Sequence, residues 1–530
     1  MKAARIVLAV DLGTSGCKCA LVSLAGEVLA WAFRPVELHV EGVGAEQDPE
    51  QWWDAFLQAS SELLERDPLR RSQIAAICCS TQGEGTVAVD RSGRALGRAI
   101  TWLDMRGAGA IGRRVRGALF SPAGYGPLKL LRWLRLTGGA PALSGKDSAG
   151  HICYLREARP ALYEAAYKFL NVLDYLNLRL TGRFCATSDS ILTTWVTDNR
   201  DTRRVRYDAA LLAALGVDAD KLPELVAGTD VLGPVQAQVS QALGIPAGTP
   251  VVAGAIDNSA VAVGACAVRD RDTHLYLGTS SWLGAHVPDK KTDLRNKIAA
   301  LPCAIAGRYL AVALQSAAGA NLSFLRDRIL FHRDELLKDE QRPDVYAVLD
   351  RIAERVPPGA RGLLYTPWLF GERTPVEDSH LRAGLLNLSL EHSREDIIRA
   401  FLEGVALNTR WMLEPFARFV GQRPQSIAAV GGGAQSSVWC QILADATGSA
   451  IEQAEEPIQA NARGAAYIAG VGLGELSFDD LTGLRRTRRV FEPRAAHRSL
   501  YEDGFAAFKE AQRRLAPLYR RLNATRAGTA

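Results

Sequence analysis

The tetrapeptide Leu-Gly-Thr-Ser occurs twice, at Leu12–Ser15 and at Leu277–Ser280, half the chain length apart. Each copy ends an apolar run, "RIVLAVDLGTS" in the first case and "THLYLGTS" in the second, and each is followed by another apolar run. A buried strand, a small-residue turn and a second strand is the simplest reading of that pattern. Its repetition constrains the chain to two similar α/β units with a cleft between them. The 530 residues agree, since they exceed what one hydrophobic core usually supports.

The surroundings repeat as well. After "RIVLAVDLG" and "CKCALVSL", the segment "AGEVLA" turns into a third strand. "PEQWWDAFLQASSELLERD" has helical periodicity, with Asp48-Pro49 at its start as N-cap and first-turn proline. "IAAICCSTQGEGTVAVDRSGRAL" reads as strand, loop and strand, and amphipathic helices are expected over much of 147–180. The Pro/Gly-rich "LGIPAGTPVVAG" places the boundary between units 1–248 and 249–530. The second unit then offers its own hairpin, the long helix "SREDIIRAFLEGVALNTRWMLEPFARFV", and "SIAAVGGGAQSSVWCQILADATG" as strand, glycine turn and helix. A last helix, from about Leu500 to Leu522, should pack on the second unit.

Composition narrows the function classes. A net charge of +5 is small for this length, and the densest basic cluster, "LRRTRRVFEPR", reads as a solvated surface rather than a nucleic-acid face. Nine cysteines without a CxxC pair read as small core residues of a reducing compartment, not as a disulfide framework or zinc site. No run of 18 apolar residues is present, and "IVLAV" stops at Asp11, so no membrane span or signal core is expected and the expected location is cytoplasmic.

Gly-Thr-Ser turns present backbone N–H groups and hydroxyls to one side, which suits phosphate oxygens; an ordinary hairpin is the alternative for either copy alone. Two such turns facing a cleft would hold a triphosphate from both sides. Asp11, at the end of the first strand, suits Mg²⁺, and Lys18 on the outgoing strand reaches towards a transferring phosphoryl group. The glycines of "VGGGAQSSVW" let a flat group approach the backbone, or serve a tight strand-to-helix turn. Asp257, alone in "VVAGAIDNSAVAVGA", reads either as the N-cap of the following helix or as a general base aimed into the cleft.

Six ordered segments resemble the FGGY family of carbohydrate kinases, in the actin/hexokinase/Hsp70-like ATPase superfamily, over essentially the whole chain. They are "DLGTSGCK", "GAIDN", "LYLGTSSW", "SAAGANLSFLRD", "FGERTPVEDSHLRAGLLNLSLEHSREDIIRAFLEGVAL" and "GGGAQSSVWCQILAD". The resemblance implies two duplicated actin-like (ribonuclease H-like) α/β domains flanking a catalytic cleft. It implies ATP and Mg²⁺, a small sugar or polyol substrate, no nucleic-acid or membrane partner, and a homodimer. Asp257 would take the proton of a sugar hydroxyl, and Asp11, with Asp257, would organise Mg²⁺. Gly13, Thr14, Ser15, Lys18, Gly278 and Thr279 would grip phosphates; Gly319, Ser323, Gly432, Gly433 and Ser437 would line the nucleotide. Gly83, Glu84, Trp102, Asp104 and Asn258 would meet the sugar.

The chain departs from the family pattern at the sugar loop. Gly83-Glu84 stands where xylulose kinases usually carry Met-His and glycerol kinases Arg-Glu. His151, Tyr154 and Gln459 also replace usual family residues. Gly83 removes bulk and Glu84 accepts two hydroxyl hydrogen bonds, which suits a polyol or ketose. Length and the C-terminal half lean towards ketopentose kinases acting on xylulose; glycerol, erythritol or ribulose kinases, or a catalytically silent ATP-binding regulator, are the alternatives.

Overall fold

A computed structural model describes residues 5–117, 120–331 and 345–524. Its two large sheets share one strand plan. In the first, Ile6–Gly13, Gly16–Ser23 and Val28–Pro35 form an antiparallel meander. Ile74–Thr81 joins Ile6–Gly13 in parallel, Pro250–Ile256 joins Ile74–Thr81 in parallel, and Val231–Pro234 closes the edge. In the second, Thr273–Leu277, Ser281–Val287 and Tyr309–Gln315 form the meander. Ser426–Val430 and then Ala450–Ala454 add in parallel to Thr273–Leu277, with antiparallel Thr487–Phe491 at the edge. The two Gly-Thr-Ser turns are therefore the same turn in two copies of one unit.

This topology moves the boundary expected at 248. Pro250–Ile256 is the fifth strand of the first sheet, so Asp257 hangs from the first unit, not the second. The local cue, two prolines and three glycines, marked a real loop. What decides ownership is which neighbour the Val251–Ile256 backbone bonds, and its partners are Ile77–Thr81. A second adjustment falls in 147–180. Helices Ser148–Ala158, Pro160–Ala165 and Val172–Thr181 are present, but Lys168–Leu170 pairs antiparallel with Val87–Val89. Asn171 then caps the last of these helices, its side chain accepting from Val172 N–H at 2.7 Å.

Period-two alternation sorts the first sheet's side chains. Ile6, Leu8, Val10 and Leu12 face a core with Trp52, Phe56, Leu63, Leu173 and Tyr175, supplied by the helices Pro49–Arg66 and Val172–Thr181. Asp48 caps the first of these as expected, accepting from Glu50 N–H at 3.0 Å. The opposite face carries Val7, Ala9, Ala20, Val22, Ala76 and Cys78. These small side chains let two helices lie close: Asp257–Gly264, and Ala460–Gly472 from the second unit.

The same two helices cover one face of the second sheet, where Val261, Ala265 and Ala460 meet Trp282, Ala428 and Val430. They are thus a shared layer between the sheets. The far face of the second sheet packs on Arg394–Val420 and Ser437–Thr447, and the terminal helix Arg498–Asn523 closes that side through Tyr501, Phe505 and Phe508. All nine cysteines are buried and free. Within the basic cluster, Arg485, Arg486 and Arg494 pair with Glu452, Glu455 and Asp445 at 2.9, 2.8 and 2.7 Å. No helix among the described residues is long and apolar enough to cross a membrane.

Candidate active site

The carboxylate of Asp11 emerges from the helix-covered face of the first sheet, opposite its register partner Lys18. Lys18 Nζ lies 3.4 Å from Asp11 Oδ2 and donates to the carbonyl of Ile458 at 2.9 Å. Asn461 Nδ2 donates to Asp11 Oδ1 at 3.2 Å. Both partners come from the segment that opens the Ala460–Gly472 helix, so the second unit fixes the polar residues of the first phosphate turn.

Asp257 is the first residue of its helix, and Ile256 holds the cap position without a side-chain bond. The N-cap reading therefore fails. Asp257 Oδ1 accepts the next amide, Asn258 N–H, at 2.7 Å. Burial, followed by the charge of Asp11, pushes this carboxyl up to about 7, with Glu84 and Asp189 adding repulsion against the Asn258 bond. A carboxyl poised near neutrality is suited to general-base work at physiological pH. Asp189 supports it from behind: it is 1% exposed, and its Oδ2 accepts Ile256 N–H at 3.1 Å.

The phosphate turns have the expected free donors. The amides of Thr14 and Ser15 in the first turn, and of Thr279 and Ser280 in the second, find no acceptor among the described residues. Gly278 and Thr279 are themselves braced, their carbonyls accepting from Gly319 N–H at 2.8 Å and from Ala318 N–H at 2.9 Å. Gly319 thus starts a helix directly on the second turn, and a β-carbon there would lie 2.6 Å from the Gly278 oxygen. In the second unit, Gly432 and Gly433 open a short 3-10 turn that leads into the Ser437–Thr447 helix. Ser436 caps that helix and donates to Asp350 at 2.7 Å, which leaves Ser437 in its first turn. Ser323 lies within hydrogen-bond reach of Tyr346, 3.2 Å between hydroxyl oxygens.

The sugar loop is wired to the first turn. Trp102 Nε1 donates to Thr14 Oγ1 at 2.9 Å, and Thr14 Oγ1 donates to Gln82 Oε1 at 2.8 Å. Gln82 Nε2 donates to Gln47 Oε1 at 2.8 Å, and Gln47 Nε2 returns to the Thr14 carbonyl at 2.8 Å. The Thr14 hydroxyl therefore ties the first turn to Gln82 and Trp102 rather than standing free. Asp104 corrects the expectation of a substrate contact. It is fully buried, and its oxygens are taken by Ala45 N–H at 2.9 Å, Arg106 N–H at 2.8 Å and Arg106 Nε at 2.8 Å. Its task is to fold the 101–106 loop.

Glu84 sits in the left-handed backbone region at φ 61°, beside Gly83, which packs on Ile256. Burial holds its carboxyl above the ordinary range, while Arg373 and then Lys146 pull against that. Glu84 makes no ion pair within 4 Å among the described residues, so its acceptors stay open. His151 is buried and neutral, pushed down to about 4 by burial, with Nδ1 3.1 Å from Thr86 Oγ1. Gln459 is buried, and neither of its side-chain polar atoms has a partner among the described residues.

Asn461, Asp189, Gln82, Lys146, Arg373 and Tyr276 are the site residues that sequence reasoning missed. Gln82, Tyr276 and Arg373 carried a signal, since each lies inside a quoted segment. Asn461 reaches Asp11 only through long-range packing, which periodicity does not report.

Residues 6–118 and 131–264 match the family model described as FGGY family of carbohydrate kinases, N-terminal domain, and residues 274–473 match the C-terminal domain of the same family. The chain is similar to a xylulose kinase of Bacillus subtilis, 28% identical over 95% of this chain and 96% of that protein. It is also similar to an autoinducer-2 kinase of an Enterobacter species, 28% identical over 94% of this chain and 92% of the relative. Among solved structures it resembles a xylulose kinase from Rhodospirillum rubrum at TM-score 0.79 and 27% identity, covering 97% of this chain and 100% of that one.

Proposed function

The chain belongs to the FGGY family of carbohydrate kinases, and on that premise we propose that it transfers the γ-phosphate of ATP to a hydroxyl of a ketopentose, with D-xylulose the first acceptor to try. The observation that carries this reading is the pair of turns with open amides, one in each sheet, with Asp11 leading into the first and Asp257, its carboxyl raised by burial and by the charge of Asp11, opening a helix packed between the sheets. Asp257 takes the hydroxyl proton as the sugar oxygen attacks phosphorus. The bond from the γ-phosphorus to the β–γ bridging oxygen breaks, and ADP leaves with that electron pair. The open amides of Thr14, Ser15, Thr279 and Ser280 receive phosphate oxygens from the two sides, and Lys18 adds a positive charge at the first turn.

The donor set suits Mg²⁺ held with a nucleotide. Asp11 and Asp257 are two carboxylates, and no cluster of three or more His, Cys, Asp or Glu among the described residues could make an all-protein cage. Mg²⁺ needs only one or two carboxylates when phosphates and waters complete its shell. When bound, it neutralises charge on the phosphate oxygens. Asp11 is held for this by Asn461, and Asp257 keeps one oxygen beyond the Asn258 bond.

The ketopentose assignment draws on the xylulose kinases among the relatives. Glu84, with Lys146 and Arg373 around it, supplies both acceptors and donors for a hydroxylated chain carrying a carbonyl. Purified protein with ATP and Mg²⁺ should release ADP on addition of D-xylulose faster than with ribulose, erythritol or glycerol. Absence of sugar-dependent ADP release across that set sinks the kinase reading, and a clear preference for a polyol sinks the ketopentose.

A further inference from the structure

Tyr276 holds the place in the second hairpin that Asp11 holds in the first, two residues before the glycine of the Gly-Thr-Ser turn. Strand alternation turns Leu275 and Leu277 into the far core and leaves Tyr276 on the face shared with the two central helices. Its ring stacks on its cross-strand partner Trp282, centroids 4.0 Å apart and planes 17° apart. That stack fixes the ring and leaves the hydroxyl to be placed by it.

The hydroxyl lies over the phosphate turn. A β-carbon on Gly278 would stand 2.8 Å from Tyr276 Oη and 2.4 Å from the ring, so the glycine is what admits the phenol there. The Oη makes no hydrogen bond among the described residues, although the side chain is only partly buried. Burial first, and then the charges of Asp11 and Asp257, pushes the phenol well above its ordinary range. A phenol hydroxyl held over a turn with open amides is a neutral donor placed to meet an oxyanion there.

We propose that Tyr276 Oη donates a hydrogen bond to the γ-phosphoryl group of ATP, as a third donor beside the second turn's amides and Lys18. The inference rests on the kinase reading above and adds a residue to it. The donor is neutral, so it holds the phosphoryl oxygens without drawing a proton from Asp257. Trp282 is then a positioning residue, acting through the ring it stacks on.

Tyr276→Phe removes the hydroxyl and keeps the stacked ring, so folding is checked by an unchanged melting temperature. Binding of a β,γ-imido ATP analogue and of ADP, each with Mg²⁺, is measured by titration calorimetry for both proteins. A hydrogen bond to a charged group predicts roughly tenfold weaker binding of the ATP analogue in the variant, with ADP affinity unchanged. The kcat should fall with KM for the sugar unmoved. Equal affinities for the analogue in the two folded proteins, or equal losses for analogue and ADP, overturn the proposal while leaving the kinase reading standing. If the wild type shows neither nucleotide binding nor sugar phosphorylation, the kinase reading falls and this proposal with it.

Discussion

Gly264 and Gly464 face each other where the two central helices cross. A β-carbon on Gly264 would stand 1.8 Å from the Ala460 carbonyl oxygen, and one on Gly464 1.9 Å from that of Ala260. The helices follow the fifth strand of their respective sheets, so the contact joins the two copies of the duplicated unit at equivalent places. It also sets the distance between Asp257, at the start of one helix, and Asn461 with its partner Asp11, at the start of the other.

Gly264→Ala and Gly464→Ala should therefore each destabilise the protein by about 1–3 kcal/mol, the range for overpacking a close contact. The activity of the folded fraction should drop as well, because the helices carry the catalytic ends. Urea unfolding with parallel kinetics checks both effects. A control at Gly248, which has open space around its β-carbon position, should be neutral.

Asp257→Asn should lower kcat by about 10²–10⁴, the range for losing a general base. Nucleotide binding should persist, since the phosphate turns donate from backbone amides. Stopped assays for turnover and calorimetry for the nucleotide separate the two. Turnover near the wild-type level would assign proton removal to another group.

The duplicated hairpins were legible because period-two apolar runs and Gly-Thr-Ser turns are local signals. Asp48 as a cap, the glycine turn before Ser437 and the terminal helix were legible for the same reason. Ownership of the strand Pro250–Ile256 was not, because a run of small apolar residues looks alike whichever sheet receives it. Asp104 misled for a related reason: a carboxylate in a sugar-loop motif and one that folds that loop differ only in where Ala45 and Arg106 lie. Tyr276 was visible as a departure from Asp11 in the repeat, but its hydroxyl's position over Gly278 follows from the stack on Trp282.

Glu84→Gln should raise KM for the sugar about tenfold, the cost of replacing a charged hydrogen-bond acceptor, and leave KM for ATP unchanged. Initial rates with each substrate varied in turn test this. A matched rise in both constants would mean that the φ 61° loop, rather than the acceptor, was disturbed.

His274 is fully buried on the shared face, with neither ring nitrogen partnered among the described residues, and burial followed by His286 pushes it down to about 3. The unfolded chain takes up the proton near pH 6.5, so the stabilising share of this residue is intact above that value and is lost as pH falls towards the folded value. Relative to His274→Leu, the wild type should lose about 1.4 kcal/mol per pH unit between pH 6 and 4. Melting temperatures of the two proteins across that range supply the comparison, and a constant difference would place a charged or solvated imidazole in the fold.

Asp257, Asp11 and the two turns are expected to move a phosphoryl group from ATP to a sugar hydroxyl. The most direct test incubates the protein with Mg²⁺, D-xylulose and ATP carrying ¹⁸O in the γ-phosphoryl group, and reads the sugar by mass spectrometry. The expected result is a sugar monophosphate carrying the labelled phosphoryl oxygens, formed by the wild type and nearly absent with Asp257→Asn. Labelled inorganic phosphate with unmodified sugar, or no consumption of ATP at all, would contradict it.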